Sequence, residues 1–596
     1  MSKKRKIVPI DYTSRDFNSI REDLMTYVRR YYPDTYKDFS EASFGSLMID
    51  TVSYVGDMLS FYLDYQANEC FMDTSIEYGN ILKHAKQMGY KFTGRTMTYG
   101  MCEFFILIPA APNAVYPDTK YMPVLKAGST FSTPAGTLFT LNENVDFAQA
   151  SNDIVVARAD DQGAPTYFAV KSQGQVVSGE TQQELINVGD FQRFLRVEMS
   201  DENVGEIISV HDDDGNEYFE VDYLSQDVVL REVADPISSG TSVMKPYPVP
   251  RRFVVEHEND ATFIQFGYGS DEELKSDSVI EPNEIVLKVH GKNYVTNTSF
   301  DPKNLTSTDK FGIAPSNTVL LVTYRKVSRK NSNVGSGIVT EVAQPRLFFR
   351  NRSELNETVM TFMSRTLEVN NPEPITGNVS LPTTEEIKRR AIDVFATQNR
   401  AVTRQDYVSC VYSMPTKFGA VKRCAVLRDK DEMKRNLNIY VISESETGKL
   451  VPTTSSIKSN LRTWLNEVRM MSDSIDILDA IIINVGIDFR ALVADGFDSH
   501  IVLGRAIKEL THKLTRTQRD LGEPFYITDV YKILKDVDGI LDVVEVTLKN
   551  LTSGNYSLAE YSIEDNMSPD GRVLMIPNYA IMEIRYPYTD ITGDVA

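Results

Sequence analysis

Cysteine is scarce: the 596 residues hold four, Cys70, Cys102, Cys410 and Cys424, with no C-x-x-C pair. That number and spacing exclude a disulfide framework and fit thiols of a reducing compartment, packed as small hydrophobes. Histidine is nearly as sparse. His84, His211, His257, His290, His500 and His512 never recur at the i, i+4 spacing that puts two ligands on one helical face, so no metal site is expected. Long apolar runs are missing too. Phe104–Ile108 falls far short of the roughly 20 residues that span a bilayer, and the N-terminus is polar where a signal peptide needs an apolar stretch. The expectation is a protein made in a cytoplasm, with no membrane insertion. Basic charge is in deficit, 63 Lys and Arg against 83 Asp and Glu, and the formal net charge of -20 would repel a nucleic-acid backbone. The exception is Lys3, Lys4, Arg5 and Lys6, which read as a terminal arm, solvated or docked on an acidic neighbour.

Catalytic signatures are also missing. Asp212-Asp213-Asp214-Gly215 invites a calcium-loop reading, but alignment on Gly215 puts the first ligand position on Val210, so a hairpin turn between Ile207–Val210 and Tyr218–Val221 is expected. Gly267-Tyr268-Gly269 has Glu272 where a dinucleotide fingerprint needs its third glycine, and reads as a strand-end turn. Thr447-Gly448-Lys449 continues into Leu450, not the Ser or Thr of a phosphate loop. No catalytic, metal or cofactor-binding residue is assigned, and no cofactor is expected. Two carboxylates meeting in a cleft would still make a carbohydrate-cleaving enzyme, which sequence alone cannot display.

What is present is an ordinary globular composition, 42% hydrophobic and 24% charged, in a chain too long for one core. Cores stop growing near roughly 250–300 residues, so three or four domains are expected. The fold class is α+β and multidomain, with long N-terminal helices over 1–98, a β-rich middle over 99–345, an α/β domain over 346–490 and a C-terminal α/β domain over 491–596. A first helix, capped by Thr13 or Ser14, runs through Phe17, Ile20, Leu24, Tyr27 and Val28 to a break at Tyr32-Pro33. In the second, Phe44, Met48, Thr51, Val55, Met58, Tyr62 and Tyr65 form a heptad seam, widened by Leu47, Tyr54 and Phe61. Ile49, Val52, Leu59 and Leu63 are apolar as well, leaving a polar face of Ser46, Asp50, Ser53, Asp57, Ser60 and Asp64. Such a helix is either the core of its own domain or part of a bundle shared between chains.

From Met101 to Val342 short β-like runs alternate with turn residues. Beyond Arg346 helices are expected near Glu385–Thr397, after Thr403 and around Ile457–Val468, with strands near Ala420–Leu427 and Ala480–Phe489. One pattern occurs twice: a Thr-capped helix, a glycine turn and a β-branched strand, at Thr403–Val426 and at Thr528–Val546.

The succession Glu385-Glu386-Ile-Lys-Arg-Arg390, Ala401-Val-Thr-Arg-Gln-Asp-Tyr407 and Phe418-Gly-Ala-Val421 resembles the baseplate J-like family. The family's Pro before Gly is Phe418 here. Pro134-Ala-Gly-Thr137 with Phe139, Phe266-Gly267, Thr323-Tyr324-Arg325 and Asn333-Val334 follow in the family's order. The N-terminal stretch, Asp11–Phe17 through Phe44-Gly45 and Gly89-Tyr90, is similar to the large wedge members of contractile-tailed bacteriophages. The resemblance implies a non-catalytic structural subunit of the virion tail baseplate. Its partners would be itself as a homodimer, other wedge proteins of the inner ring, and the tail hub. Phe44, Leu47, Met48, Tyr54, Val55, Met58, Phe61, Tyr62 and Tyr65 would line a bundle interface. Thr403, Asp406, Tyr407, Gly419 and Val421 would be structural motif residues. The C-terminal region would carry dimer or ring contacts. Domains would rotate on tail contraction about linkers such as Asn370–Gly377 while the bundle stays rigid. The rival readings are a carbohydrate-cleaving tail enzyme and a receptor-binding tail fibre; the long repeats of a fibre are absent.

Overall fold

The computed structural model describes residues 16–35, 40, 43–94, 96–111, 116–160, 164–234, 242–258, 261–270, 311–328, 331–429, 436–516, 519–552 and 554–595. Lys3–Lys6, the expected caps Thr13 and Ser14, the start of the Asp11–Phe17 stretch, Glu272 and His290 lie outside them. The chain is α+β and divides into two compact units, Met1–Phe92 with Pro382–Gln398, and Thr93–Leu381 with Asn399–Ala596.

The first unit is helical: α1 (Phe17–Tyr31), α2 (Phe44–Glu69), α3 (Tyr78–Gln87) and a later helix, Thr384–Thr397. Asp16, not Thr13 or Ser14, caps α1, its carboxylate accepting from the Ser19 N–H at 3.0 Å. Ser43 caps α2 in the same way, and no proline interrupts the next 26 residues. Thr383 and Glu386 form a reciprocal capping box on the helix that follows them. That helix buries Ile387 and Ala391 against Ile81, Ala85 and Tyr90.

In the second unit a seven-stranded antiparallel sheet joins Glu341–Gln344, Thr130–Ser132, Leu138–Leu141, Pro165–Ser178, Tyr99–Pro109 and Glu368–Asn370 in that order, with Asp153–Ala159 paired to Pro165–Ser178. Its strands come from both sides of position 345. Phe104, Ile106, Phe131 and Phe139 fill its core, and helix Glu357–Arg365 adds Met363. A second sheet of seven strands contains the antiparallel pair Val204–His211 and Thr318–Lys326. Its hairpin turns at Gly215 (φ +78°), where the sequence places it, with Val210 opposite Tyr218 and the Asp212 carboxylate occupied by Asn216. Gly267 ends a strand where backbone passes directly beside it: a Cβ there would collide with the Gly312 carbonyl oxygen.

The α/β layer pairs Asn436–Glu444 antiparallel with Arg423–Arg428 and parallel with Ser474–Asp479, under helices Arg404–Tyr412 and Ser455–Val468. In the last sheet Ile481–Val493 is the central strand and runs through position 490. One face of it, Ile483, Val485, Ile487, Phe489 and Ala491, packs on helices Ser499–Arg516 and Ile527–Lys535. The second helix-turn-strand copy keeps its glycine, Gly539 at φ +99°, but not its threonine cap. Tyr526 is the N-cap residue, without a side-chain bond, and Thr528 lies inside the helix.

The stretch Asn370–Gly377 is not a free linker. Asn371 and Ile375 are fully buried; the Asn371 carboxamide oxygen accepts from the Ile338 and Val339 N–H groups, and Ile375 exchanges backbone bonds with Val334. Gly100 admits Ile375 so closely that a Cβ there would lie 2.5 Å from it. A hinge needs backbone free to change φ and ψ, and this backbone is hydrogen-bonded inside the core.

Candidate assembly surface

Helix α2 turns its small and polar side inward. Ser46, Ile49, Ser53 and Ser60 are buried, and Gly56 stands so near α1 that a Cβ there would lie 3.1 Å from Ile20 Cδ1. The Arg21 guanidinium meets the Asp50 carboxylate at 2.6 Å across the same junction. Ser53 donates to the Ile49 carbonyl at 2.8 Å, so its hydroxyl is satisfied without water. Small side chains at heptad spacing allow two helices to approach closely, and α1 takes this face.

The apolar side is left outward. Phe44, Leu47, Met48, Tyr54, Val55, Met58, Phe61 and Tyr62 are between 40% (Met58) and 75% (Phe44) exposed, and Val52, Leu59 and Leu63 extend the same surface. Among the described residues of its unit, nothing covers this face of α2 as a core would. In the heptad frame set by the seam, apolar residues occupy both seam positions and both flanking positions, an arc of roughly 160° at about 100° per residue. That is wider than one neighbouring helix covers. Tyr65, at the end of the seam, is half-buried and donates to Glu77 at 2.8 Å.

The far end of α2 is anchored. The buried Glu69 carboxylate accepts from the Ile76 N–H at 2.7 Å, the Glu77 N–H at 3.3 Å and the Asn80 amide at 3.0 Å, while His84 Nε2 pairs with the Glu69 carbonyl at 2.9 Å. Lys388 donates to the Asp73 and Ser75 carbonyls at 3.0 and 2.7 Å. Burial works against the charge on Glu69, but the bonds from Asn80, Ile76 and Glu77, with the Lys388 charge, outweigh it and hold the carboxyl below its ordinary value. The shaft of α2 is thus presented from a fixed foot.

The motif residues form one structural cluster. The Thr403 hydroxyl oxygen accepts from the Asp406 N–H at 3.2 Å, and the Asp406 carboxylate accepts in return from the Thr403 N–H at 2.8 Å. Tyr407 is buried and donates to Asp473 at 2.7 Å. Gly419 has φ +87°, and a Cβ there would lie 3.5 Å from Tyr99 and 3.6 Å from Ile457; Val421 enters the same core as Tyr407. Three of the four cysteines are buried, and burial pushes the Cys102 thiol up to about 12 and the Cys410 thiol to about 11. Cys70, at the end of α2, is exposed.

Two carboxyls whose burial raises their pKa stand in different sheets. Glu206 faces the Arg325 guanidinium at 3.7 Å, and Glu583 accepts from the Leu450 N–H at 2.7 Å and the Asn484 amide at 3.1 Å. Both are engaged in packing joints. Among the described residues no group of three His, Cys, Asp or Glu side chains could hold a metal ion, and no helix is long and apolar enough to cross a membrane.

No curated protein matches the chain in sequence. Among solved structures, a chain of the "Cryo-EM structure of the anti-feeding prophage (AFP) baseplate, 6-fold symmetrised" aligns at 10% identity over 96% of this chain and 90% of that one, with a TM-score of 0.26. Residues 16–87 match the family described as "Bacteriophage baseplate protein, N-terminal domain". The matched stretch begins at the α1 cap and ends on the last residue of α3, and so contains the whole exposed face of α2. Over residues 16–87, then, the chain is similar to the N-terminal domain of bacteriophage baseplate proteins.

Proposed function

We propose that the chain is a structural wedge subunit of a contractile-tail baseplate, and that the outward face of α2 is where other helices of the assembly dock. The observation that carries this is the inversion of α2: serines inside, Phe44, Tyr54, Phe61 and their neighbours outside. Burying a large apolar side chain is worth about 1.5–3 kcal/mol, so eight residues roughly half exposed contribute about 8 kcal/mol per copy. Association costs on the order of 4–15 kcal/mol. One copy of the face is marginal against that cost; two copies, or one copy and a partner helix, exceed most of it. The width of the apolar arc also calls for two neighbours. A bundle of two copies of this chain with a helix from another wedge protein satisfies both requirements. Such wedges would join into the inner ring around the tail hub, assembled in the host cytoplasm and carried in the virion. The role is non-catalytic.

Rearrangement on contraction belongs to the same proposal, with the bundle moving as a rigid piece and the hinge lying elsewhere than 370–377. The test is to mix the purified chain with the other baseplate proteins of its source and measure the mass of the product by light scattering. A stoichiometric complex that Tyr54→Glu with Phe61→Glu abolishes is expected. A chain that ignores every such protein, or a double variant that still assembles, would contradict the proposal.

A further inference from the structure

Strand Asp153–Ala159 lies at an edge of the first sheet. It pairs with Pro165–Ser178, whose opposite edge is taken along its length by Tyr99–Pro109. The edge that Asp153–Ala159 occupies also carries Leu138–Leu141, at positions 176–178, and from there the sheet continues outward through Thr130–Ser132 and Glu341–Gln344. Beyond Asp153–Ala159, among the described residues, it does not continue. All seven residues of the strand are exposed, Val155 by 66%. Edge strands are ordinarily blunted by lysine or proline. This one has neither, and sets Ile154, Val155 and Val156 in a row.

Register fixes which way these side chains point. Ile154 lies opposite Val170 and Val156 opposite Phe168, both of them buried, so the pair continues the inner face of the sheet past the limit of its core. Asp153 and Val155 lie opposite Lys171 and Ala169, on the other face. A register shift at Ala157 then sets Arg158 opposite Tyr167, which shares a face with Ala169 and Lys171. Without that extra residue Arg158 would point to the inner face. The strand thus offers an open backbone edge, an aliphatic pair on one face and, on the other, an acid, a valine and a base in that order.

We propose that this edge binds an extended segment of a different protein, added antiparallel as a further strand of the sheet. Backbone chemistry selects the class of partner, because a row of alternating N–H and C=O groups is matched by another strand. The pairings of this sheet are antiparallel, and an antiparallel addition continues them. Charge and pleat select the sequence: read from its N-terminus, the segment carries an acidic residue opposite Arg158, apolar residues opposite Val156 and Ile154 with a small one between them, and a basic residue opposite Asp153. A second copy of the strand fits worse. Paired antiparallel about Val155 or Val156, it would set Asp153 opposite Ala157 or Ala159 and leave the carboxylate without a cation. The proposal concerns the second unit alone and does not depend on the face of α2.

The test uses the full chain carrying Tyr54→Glu and Phe61→Glu, so that α2 plays no part, and a synthetic peptide with Glu-Val-Thr-Ile-Lys between flanking threonines. Amide hydrogen exchange is followed over Asp153–Ala159. At about ten times its Kd the peptide should slow exchange of the outward amides about ten-fold, because only the peptide-free fraction exchanges. The peptide with its charges exchanged, Lys-Val-Thr-Ile-Glu, should bind several-fold more weakly. Adding Ile154→Lys with Val156→Lys should abolish the response and leave thermal unfolding unchanged, since both side chains are already exposed. No slowing by either peptide up to its solubility limit, equal slowing by both, or slowing in the chain alone that grows with its concentration and so marks a second copy on the edge, would overturn the proposal.

Discussion

Glu69 and His257 show how single side chains tie this molecule to pH. Replacing Glu69 with Gln removes the charge that two backbone N–H groups, Asn80 and Lys388 converge on, at the foot of α2. A loss of about 1–3 kcal/mol is expected, from hydrogen bonds to a buried charged group. The folded carboxyl sits below its ordinary 4.5, so its contribution is fully present above that value and is lost as the pH falls through the folded one. Denaturant titrations of wild type and Glu69→Gln should therefore differ at neutral pH and converge in acid. His257 runs the other way chemically but in the same direction with pH. Burial lowers its imidazole from 6.5 to about 4, with the Thr262 hydroxyl 3.1 Å from Nδ1 and the backbone at Gly94 so near that a Cβ there would lie 3.2 Å from the ring. The unfolded imidazole takes up a proton first, so stability is fully present above 6.5 and declines as the pH falls toward 4. His257→Gln should flatten that part of a stability-pH curve; an unchanged slope would show that the ring ionises freely in the fold.

At the scale of elements, α2 depends on Gly56 for its inner face and on nothing in its own unit for much of its outer one. Gly56→Ala trades a helix-propensity gain of about 0.5–1 kcal/mol against a contact with the flexible end of Ile20, 3.1 Å from the new Cβ, and should be close to neutral. Gly56→Leu cannot be accommodated that way. It should drive α1 off the serine stripe, and deuterium uptake over Phe17–Tyr31 should rise while the second unit keeps its protection. Much of this element was legible from spacing. The heptad seam and the Thr403 cap follow from local side-chain chemistry, which acts over three or four residues. The side of α2 that faces inward did not follow, because a wide apolar arc reads as core, and only the small residues at 46, 53, 56 and 60 signal that a helix already sits on the opposite face. The Thr528 cap and the Asn370–Gly377 linker were misread for a related reason. Proline and glycine mark turns equally well in a loose linker and in a segment pinned by Asn371, and the distinction lies in distant partners such as Val334 and Ile338.

At the scale of the whole molecule, the sheets recruit strands from far along the chain, and this part of the fold was least legible. Alternation predicts strands, yet nothing local pairs Glu368–Asn370 with Tyr99–Pro109 or sets Ala580–Glu583 beside Ile481–Val493. What the sequence did carry is the contrast between an ordinary composition and one helix that is apolar over too much of its surface. In the folded chain that excess is turned outward, and a protein that displays it has a use for it in an assembly.

The most direct test of that claim is the reactivity of a thiol placed on the face itself. In a Cys70→Ser background, Phe61→Cys should be labelled promptly by a maleimide in the free chain and should be protected after assembly with the other baseplate proteins of its source. Equal labelling in the free and assembled states would mean that the outward face of α2 stays uncovered, and that the chain is built into its assembly some other way.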